Sequence, residues 1–335
     1  MPEISVLLSV YNGEEYIQET IESILNQSFQ DFEFIIIDDG STDNTLSVIQ
    51  SFSDPRIRLF KLGENRGVAK ALNFGLQHIR GKYIAKADAD DLYSSDRLAI
   101  QKKFLDDRQE ISLVGSFIEY FPHDETVRMS KLFLNKKNMW ERRKNTYTEW
   151  KDISKVIYWY CCLTHSSIMV RDNVLSKFRY REFPMGEDYD LFYRLNKAGH
   201  KMAIIDRVLT RVRVDGRSTT VQHSNLFFDK ILYEIKRTEI ERLFLNSNKV
   251  YIWGAGSFGV KMWEILQKNS LEICGFIDSS PEKEGMVIRD KIVYSPAVLE
   301  RNNSKIIIAS QPGMLEITKH LKNHGFIHLD DFVVC

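Results

Sequence analysis

The stretch ISVLLSVYNGEEYIQETIESILNQSFQDFEFIIIDDGSTDNT, residues 4–45, decides the fold. It begins and ends with β-branched apolar runs, ISVLLSV at residues 4–10 and FEFIIID at residues 32–38, and apolar residues recur between them at helical spacing. Strand, helix and strand in this order are typical of a βαβ unit, whose two strands lie parallel in one sheet. The segment therefore predicts an α/β protein.

The alternation of strands and helices continues to about residue 215 and restarts at residue 249. Further strands are predicted at IRLFKL, KYIAKAD, LTHSSIMV and KMAIIDRVLTRVRV, and in the second part at KVYIW, EICGFID and KIIIAS. We expect a first domain over residues 1–220 with a mostly parallel sheet and helices on both faces. A helical connector over 221–248 and a smaller α/β domain over 249–335 complete the predicted organisation.

Residues 121–159 interrupt the alternation, because they are polar, aromatic and poorly periodic. Their most basic stretch is KKNMWERRKN. Two interpretations fit this composition: a solvated surface segment, and an insertion near the active site that faces the acceptor.

Charge and composition narrow the function classes. The 46 basic and 46 acidic residues cancel, which removes the broad positive field of nucleic-acid binders. No apolar run reaches the roughly 20 residues that span a bilayer, and MPEISVLLSVYNG lacks the features of a signal peptide. We expect a cytoplasmic protein, in contact with the inner membrane face at most peripherally. The cysteines, expected to be buried reduced thiols, are Cys161, Cys162, Cys274 and Cys335.

The segment KADADD carries the sharpest chemical signal. Asp88 and Asp90 stand two residues apart at the end of a predicted strand, so their carboxylates point the same way and can approach one ion together. Hard oxygen ligands suit Mg²⁺ or Mn²⁺, ions that are commonly bound by one or two carboxylates plus substrate phosphates. A nucleoside diphosphate is a fitting leaving group at such a site. For Asp91 a solvated turn or a helix cap is the favoured interpretation.

Two more acidic segments follow predicted turns. Asp38 and Asp39 end a strand before GSTDNT, where a carboxylate can accept hydrogen bonds from a base or ribose, or where the segment simply caps the next helix. GEDYD opens a later helix, and Asp188 there could remove the proton of a sugar hydroxyl. Glu187 and Asp190 compete for that role, and all three carboxylates could merely complement the positive end of the helix.

These landmarks, in this order, resemble the family 2 glycosyltransferases and their GT-A fold. The matching blocks are residues 5–45, then ENRGVAKALNFGL, GKYIAKADADDLY and GEDYDLFYRL. The resemblance covers roughly residues 3–215 and implies an inverting, metal-dependent transfer by direct displacement. The implied donor is a nucleotide-sugar, expected to be a UDP-sugar, and the implied acceptor is a saccharide or lipid-linked saccharide in surface polysaccharide synthesis.

The resemblance also assigns roles residue by residue. It implies that the nucleoside is held by Ser9, Tyr11 and Asp39, that Asp88 lies near the ribose and the metal, that Asp90 is a metal ligand, and that Asp188 is the catalytic base. One departure concerns RVRVDGRSTT, where Asp215 stands in place of a histidine that lies near the metal or diphosphate in many relatives. Asp215 could ligate the same ions or lie in a solvated loop. His165 is a weaker candidate for the acceptor side than for a structural histidine.

The second predicted domain carries a glycine motif, GAGSFG, between a strand and a helix. With Gly254, Gly256 and Gly259, and with Asp278 at the end of the next strand, it resembles a dinucleotide-binding half-Rossmann domain. It also looks like the nucleotide-sugar-sensing domains fused to some bacterial sugar-modifying enzymes. We expect nucleotide binding or assembly into a homo-oligomer rather than redox chemistry, with a purely structural domain as the alternative.

Two other functions share part of this chemistry. A nucleotidyltransferase would share the metal and nucleotide logic, but it would carry a basic, glycine-rich loop after the first strand, where this chain has the acidic VYNGEEYI. A non-catalytic nucleotide-sugar-binding scaffold would not need the acidic set Asp39, Asp88, Asp90 and Asp188. The sequence therefore favours a transferase.

Overall fold

A computed structural model describes the backbone of residues 1–215, 219–247 and 249–335, and the side chains of these residues outside 219–228. The chain separates into two compact units, Met1–Gln222 and His223–Cys335. Each unit has its own sheet and its own apolar core.

The first unit alternates strands and helices as the sequence predicts. Its strands are β1 (Ile4–Val10), β2 (Phe32–Asp38), β3 (Ile57–Lys61), β4 (Tyr83–Asp88), β5 (Leu92–Tyr93), β6 (Ile111–Pro122), β7 (Met169–Arg171) and β8 (Lys201–Val214). Its helices are α1 (Ile17–Leu25), α2 (Thr45–Gln50), α3 (Val68–Leu76), α4 (Arg97–Asp107), α5 (Glu125–Arg128), α6 (Lys131–Asn135), α7 (Glu141–Lys144), α8 (Trp150–Val156), α9 (Asp172–Phe178) and α10 (Glu187–Lys197).

The first sheet has eight strands in the order β3-β2-β1-β4-β7-β6-β8-β5. Strands β3, β2, β1 and β4 run parallel, β7 is antiparallel to both of its neighbours, and β5 is antiparallel to β8. All seven residues of β2 are buried, and its apolar run at residues 34–37 fits a central parallel strand that is covered on both faces. The predicted α/β fold is confirmed, with an antiparallel part on one side of a mixed sheet.

One predicted strand is shorter than its apolar pattern suggested. Residues 163–170 contain a single 3₁₀ turn, His165–Ser167, and strand β7 begins only at Met169. The Ser167 hydroxyl donates to the carbonyl oxygen of Thr164 at 2.8 Å, and the Ser167 N–H donates to the same oxygen at 3.0 Å. Serine side chains that bond the local backbone in this way compete with strand pairing.

The poorly periodic segment 121–159 continues β6 to Pro122 and then forms the short α-helices α5 to α8, with a π-helix, Lys136–Trp140, between α6 and α7. Phe133 of α6 is buried in a small cluster with Ile118, Tyr120 and Val214. The segment is therefore anchored to β6 and β8 through this cluster, although most of its side chains are partly or fully exposed.

The cysteine prediction holds in part. Cys162 and Cys335 are buried and Cys161 is partly buried, all as free thiols. Cys274 is exposed, so the expectation of a buried thiol is wrong there. Its neighbours Ile273 and Gly275 are buried, and alternation along the extended chain turns the Cys274 side chain to solvent.

The second unit contains a smaller sheet of six strands in the order β11-β12-β10-β9-β13-β14. Its elements are α11 (Thr219–Leu245), β9 (Lys249–Trp253), α12 (Ser257–Lys268), β10 (Gly275–Ile277), β11 (Val287–Ile288), β12 (Lys291–Tyr294), β13 (Ser304–Ile308), α13 (Met314–Asn323) and β14 (Phe332–Val334). Strands β12, β10, β9, β13 and β14 are parallel, and β11 pairs antiparallel with β12. The long helix predicted as a connector contributes Tyr233, Ile240 and Leu243 to this unit's core.

Two glycines of the motif between β9 and α12 have no room for a side chain. A Cβ added to Gly259 would lie 1.8 Å from the Gly254 carbonyl oxygen, and one added to Gly254 would lie 2.3 Å from the carbonyl oxygen of Ala309. Gly254 also has φ of +130°, a conformation that L side chains rarely adopt. A Cβ added to Gly256 would meet no atom within 4 Å, so the fold itself does not require glycine there.

We expect Gly259→Ala to destabilise the second unit by about 1–3 kcal/mol, because the added methyl group forces helix α12 away from the Gly254 carbonyl. Urea unfolding followed by circular dichroism measures the effect. Gly256→Ala is the matched control, and it should unfold within about 0.5 kcal/mol of the wild type or above it. Equal losses in the two variants would contradict the close approach.

Candidate active site

Three neighbouring strands end at one level on the carboxyl edge of the first sheet. In the parallel registers, Ser9 of β1 is opposite Asp88 of β4 and Ile37 of β2, and Val10 is opposite Asp38. Tyr11 follows β1 directly, and 45% of its surface is exposed. The structure thus brings together the segments that the sequence singled out, at the edge where open α/β sheets bind ligands.

Asp39 is a buried carboxylate just beyond β2. Its two oxygens accept backbone N–H groups from Arg66, at 3.0 Å, and from Gly67, at 2.9 Å. These bonds fix the loop that leads into α3. A carboxylate has about four lone-pair positions, so Asp39 keeps acceptor capacity for a further donor such as the N–H of a base.

Asp88 forms an ion pair with Lys86, whose ammonium group is buried. Lys86 also donates to the Ala87 carbonyl oxygen at 2.5 Å, and the Asp88 side chain keeps 39% of its surface exposed. Burial disfavours the charged carboxylate, but the positive charge of Lys86 outweighs this effect and lowers the pKa of Asp88 below its usual value. Asp88 is therefore an anion that is partly exposed to solvent.

Asp90 lies two residues further on and is partly buried. Burial, and then the negative charge of Asp88, raise the pKa of Asp90 to about 6. Two carboxylates that disfavour each other's ionisation in this way would both be relieved by a cation between them.

Asp91 has a different role from its two acidic neighbours. It is buried, and its carboxylate accepts the backbone N–H of Arg213 at 3.0 Å. The Arg213 guanidinium in turn donates to the Asp90 carbonyl oxygen at 3.0 Å and pairs with Glu19. These contacts tie the acidic loop after β4 to strand β8 and to helix α1, which makes Asp91 a positioning residue.

Arg97, at the start of α4, is only 1% exposed and holds the backbone of β4 just before the same loop. Its guanidinium donates to the carbonyl oxygens of Lys86, at 2.8 Å, and Ile168, at 3.1 Å, and lies 4.5 Å from the Tyr93 ring centroid. The Tyr93 hydroxyl accepts the Asp88 N–H at 2.7 Å. The backbone under Asp88 is thereby held by side chains that follow it in sequence.

The acidic start of α10 separates into three different carboxylates. Asp190 is fully buried and accepts from the Nε atoms of Arg181, at 2.9 Å, and Arg194, at 2.7 Å. Asp188 is partly buried, and one of its oxygens accepts the Tyr189 N–H at 2.7 Å. Asp190 is thus committed to an ion-pair network that the first turn of α10 needs, whereas Asp188 keeps an oxygen for other partners.

Glu187 is nearly buried, with 12% of its side chain exposed. Burial, and then the charge of Asp188, raise its pKa to about 8. At neutral pH this carboxyl group therefore holds its proton in the free protein, which weakens its candidacy as a general base. Its Oε1 lies 3.9 Å from Nδ1 of His165.

His165 is a partnered, uncharged side chain. Its Nε2 lies 2.9 Å from the Tyr180 hydroxyl, and burial, followed by the charge of Lys86, lowers its pKa to about 4. This environment is that of a structural histidine, the interpretation that the sequence favoured.

Asp215 follows strand β8 and is 9% exposed. Its carboxylate accepts the Tyr16 hydroxyl at 2.7 Å, and the same hydroxyl lies 3.0 Å from Nδ1 of His123. The solvated-loop interpretation of Asp215 is therefore wrong, because Asp215 is buried and its carboxylate is held by the partly buried Tyr16. Its contact with a metal or diphosphate stays a prediction.

The donor set at Asp88 and Asp90 suits a hard divalent cation. Within the part of the chain that the structure describes, no three or more His, Cys, Asp or Glu side chains are grouped so as to hold a metal by themselves. Two carboxylates supplemented by substrate phosphates match the way Mg²⁺ is normally bound. The two carboxylates at Asp88 and Asp90 therefore fit such an ion.

Comparison with known proteins identifies the family. Residues 5–170 match the family model described as glycosyl transferase family 2, and residues 246–328 match the model described as C2185-like, N-terminal. The chain is 31% identical over 258 residues to the uncharacterized glycosyltransferase MJ1057 of Methanocaldococcus jannaschii, covering 75% of this chain and 84% of the relative. The chain belongs to glycosyl transferase family 2.

A further relative of this glycosyltransferase is TuaG of Bacillus subtilis, named a putative teichuronic acid biosynthesis glycosyltransferase. The two are 40% identical over 121 residues, which cover 36% of this chain and 47% of TuaG.

Two solved structures share the fold at 20% sequence identity. S. aureus TarS 1-349 in complex with UDP-GlcNAc has a TM-score of 0.56, covering 72% of this chain and 67% of that one. The mannosyltransferase PcManGT of Pyrobaculum calidifontis in complex with GDP-Man and Mn²⁺ has a TM-score of 0.54, covering 72% and 64%. Among the described residues of the glycosyltransferase, no helix combines the length and apolar character needed to cross a bilayer.

The sequence analysis did not identify the basic side chains at this glycosyltransferase's site. Lys86 could have been found, because it stands two residues before Asp88 in a strand and so points to the same side. Arg194 follows Asp190 by four residues on a helix, a spacing that predicts an ion pair. Arg97 and Arg213 carry no such signal, since tertiary structure brings the Ile168 carbonyl to Arg97 and brings the Asp90 carbonyl and the Glu19 carboxylate to Arg213.

We expect Asp190→Asn to lower the free energy of unfolding of the glycosyltransferase by about 1–3 kcal/mol, because the amide cannot accept from both arginines and leaves buried hydrogen bonds unmade. Differential scanning calorimetry measures the loss. Glu187→Gln is the matched control on the same helix turn, and it should change little, because Glu187 is already neutral at pH 7. A smaller loss in Asp190→Asn than in the control would contradict the structural role.

Proposed function

We propose that this glycosyltransferase moves a sugar from a UDP-sugar to a saccharide acceptor by inverting displacement, with Mg²⁺ or Mn²⁺ bound at Asp88 and Asp90. The observation that carries the proposal is the alignment of Ser9, Asp38 and Asp88 at the ends of three parallel strands, with Asp90 just beyond. The first unit thus contains a surface for the nucleotide, a carboxylate pair for the cation and a candidate base.

The nucleoside is proposed to lie between Tyr11 and Asp39. The exposed Tyr11 ring offers a flat surface for a base, and Asp39 offers spare acceptor positions beside its bonds to the loop at Arg66 and Gly67. Ser9 and Asp88, side by side on β1 and β4, are proposed to meet the ribose. Because Asp39 also holds the neighbouring loop, the pocket for the nucleobase would keep its shape before the donor binds.

A bound Mg²⁺ or Mn²⁺ ion would neutralise the charge that develops on the diphosphate as the sugar leaves. The chain's own contribution is to hold Asp88 ionised beside Lys86 and to hold Asp90 at the same edge. Support for a divalent cation comes from PcManGT, whose complex contains GDP-Man and Mn²⁺.

Asp188 is proposed to take the proton from the acceptor hydroxyl as that oxygen attacks the anomeric carbon. Its two neighbours are poorly suited, since Asp190 is occupied by Arg181 and Arg194, and the raised pKa of Glu187 keeps its proton in place. Asp188 lies in the first turn of α10. Gly186 precedes this helix and has a φ of +79°, a left-handed conformation that turns the chain.

The proposed acceptor is a saccharide of a surface polysaccharide. TuaG supports this class through the teichuronic acid pathway in its name, and TarS supports a UDP-sugar donor through its bound UDP-GlcNAc. Residues 121–159 are proposed to contact the acceptor, because they combine aromatic rings with positively charged side chains. Arg143 lies 5.2 Å from the Trp140 ring centroid and 5.8 Å from that of Tyr160, just beyond the segment. Work at the cytoplasmic face of a membrane, on a lipid-linked acceptor, stays part of this proposal.

We expect Asp90→Ala to weaken UDP binding in the presence of Mn²⁺ or Mg²⁺ by about tenfold or more while leaving binding in chelator unchanged, since one charged ligand of the ion is removed. Calorimetric titrations with and without EDTA give both affinities. Asp206→Asn, an exposed carboxylate on β8, serves as a surface control. Equal affinity of wild type and Asp90→Ala with metal present would refute the metal assignment.

We expect Asp188→Asn to reduce the rate of transfer by about 10²- to 10⁴-fold with little change in UDP affinity, because the amide keeps the shape but cannot accept the proton. A panel of nucleotide sugars, assayed for donor hydrolysis and for transfer, supplies the substrate for this measurement. Glu187→Gln is the control and should retain most of the rate. A larger loss in Glu187→Gln would identify Glu187 as the base, and a panel without any turnover by wild type would favour a nucleotide-sugar-binding scaffold.

A further inference from the structure

The second unit contains a cavity of about 350 Å³ that the glycosyl transfer site does not use. Its walls come from Trp253 at the end of β9, Asp278 after β10, Ser310 after β13, and Glu316 and His320 of α13. Glu316 and His320 are four residues apart on the helix and so share one face. A volume of this size suits a nucleoside or a monosaccharide.

The cavity lies at the point where the order of the strands in the sheet reverses. Strand β9 is flanked by β10 on one side and by β13 on the other, and the chain builds outward from β9 to β10 and β12 before crossing to β13 and β14. Open α/β sheets bind ligands at such a switch point, in the crevice outside the carboxyl ends of the strands. Trp253, Asp278 and Ser310 mark those three carboxyl ends.

The side chains that line the cavity determine which chemical groups of a ligand would bind in it. Asp278, Glu316, His320 and two serines face it, and none of the described residues that line it is lysine or arginine. Carboxylates are acceptor-only when ionised, so they suit hydroxyl groups and disfavour a phosphate in the cavity itself. Ile317 and Pro296 provide apolar surface beside these acceptors.

Asp278 is held ready to accept. Its oxygens receive the N–H groups of Ala255, at 3.1 Å, and Ser280, at 3.0 Å, and the ammonium group of Lys283, at 2.8 Å. Burial opposes ionisation, but these donors outweigh it and lower the pKa of Asp278. The result is a fixed anion at the end of the second strand of a βαβ unit, where an acid meets ribose hydroxyls.

The loop at the edge of the cavity distinguishes a nucleotide from a free sugar. The geometry of Gly254 and Gly259 is required by the close packing of the loop against Ala309 and α12, but Gly256 is extended and its missing side chain would meet nothing. A glycine that the protein itself does not need leaves the backbone open to a ligand group such as a phosphate. The first turn of α12 follows, with N–H groups that have no acceptor within the helix.

We propose that this cavity is a second nucleotide-binding site, in which Asp278 receives the ribose hydroxyls, Glu316 and His320 face the remaining polar part of the ligand, and the phosphate lies over Gly256. The site is separate from the donor site of the first unit and requires no divalent cation. Its ligand class is a ribonucleoside diphosphate or its sugar ester.

Hydrogen–deuterium exchange of the full-length chain in EDTA tests the site, with UDP, ADP and glucose as separate probes at millimolar concentration. We expect UDP or ADP to protect peptides covering residues 253–260 and 310–320, and glucose to leave them unchanged. Donor-site peptides near Tyr11 and Asp39 are read in a parallel run with Mn²⁺ in place of EDTA, so failure of this site and failure of the proposed transfer site give different patterns.

Two variants supply affinities by calorimetry in the same buffer. Gly256→Val and Glu316→Gln should each weaken nucleotide binding by about tenfold or more, since one blocks the phosphate and the other removes a charged acceptor. Their matched controls are Gly63→Val, whose added Cβ also meets nothing, and Glu300→Gln, whose partner is Lys249 at the start of β9. Absence of protection by both nucleotides, equal protection by glucose, or wild-type affinity in both variants would overturn the proposal.

Discussion

The parallel pairing of β1 with both β2 and β4 is the constraint on which the rest of the first unit depends. It places Ser9 between Ile37 and Asp88 and ends three strands at one level. Because side chains alternate along a strand, a slip of one residue would turn the polar residues at these strand ends toward the opposite face. The buried apolar residues of β1 and β2 make that slip costly, so the core specifies where the polar edge lies.

An edge built in this way collects negative charge, and the structure has to hold it. Lys86 compensates Asp88, but Asp90 and Glu187 have pKa values raised to about 6 and about 8. A carboxyl group whose pKa is higher in the folded than in the unfolded protein binds more protons when folded, so stability falls as the pH rises from about 4 through those values. A cation at Asp88 and Asp90 would offset part of that cost, which couples ion binding to the stability of the empty site.

Much of this arrangement could be predicted from the sequence, because strand ends and the spacing of acids are local features. The ends of β2 at Asp38 and of β4 at Asp88 follow from apolar runs that stop at an acid. The separate roles of Asp188 and Asp190 could not be predicted, since Arg181 reaches Asp190 from a loop whose path depends on tertiary structure. Strand β7 starts later than its apolar pattern predicts, for a related reason. The Ser167 hydroxyl donates to the Thr164 carbonyl, and hydropathy does not register such local hydrogen bonds.

The two units use the acid at the end of their second strand in a common way. Asp39 accepts the N–H groups of Arg66 and Gly67, and Asp278 accepts those of Ala255 and Ser280. Of about four lone-pair positions, Asp39 uses two for these bonds and Asp278 uses three, the third for the ammonium group of Lys283, so each keeps acceptor capacity for a ligand. The same carboxylate therefore fixes the loop beside it and keeps an acceptor position, so a ligand bound there would meet a group already in place and lose little binding energy in ordering it.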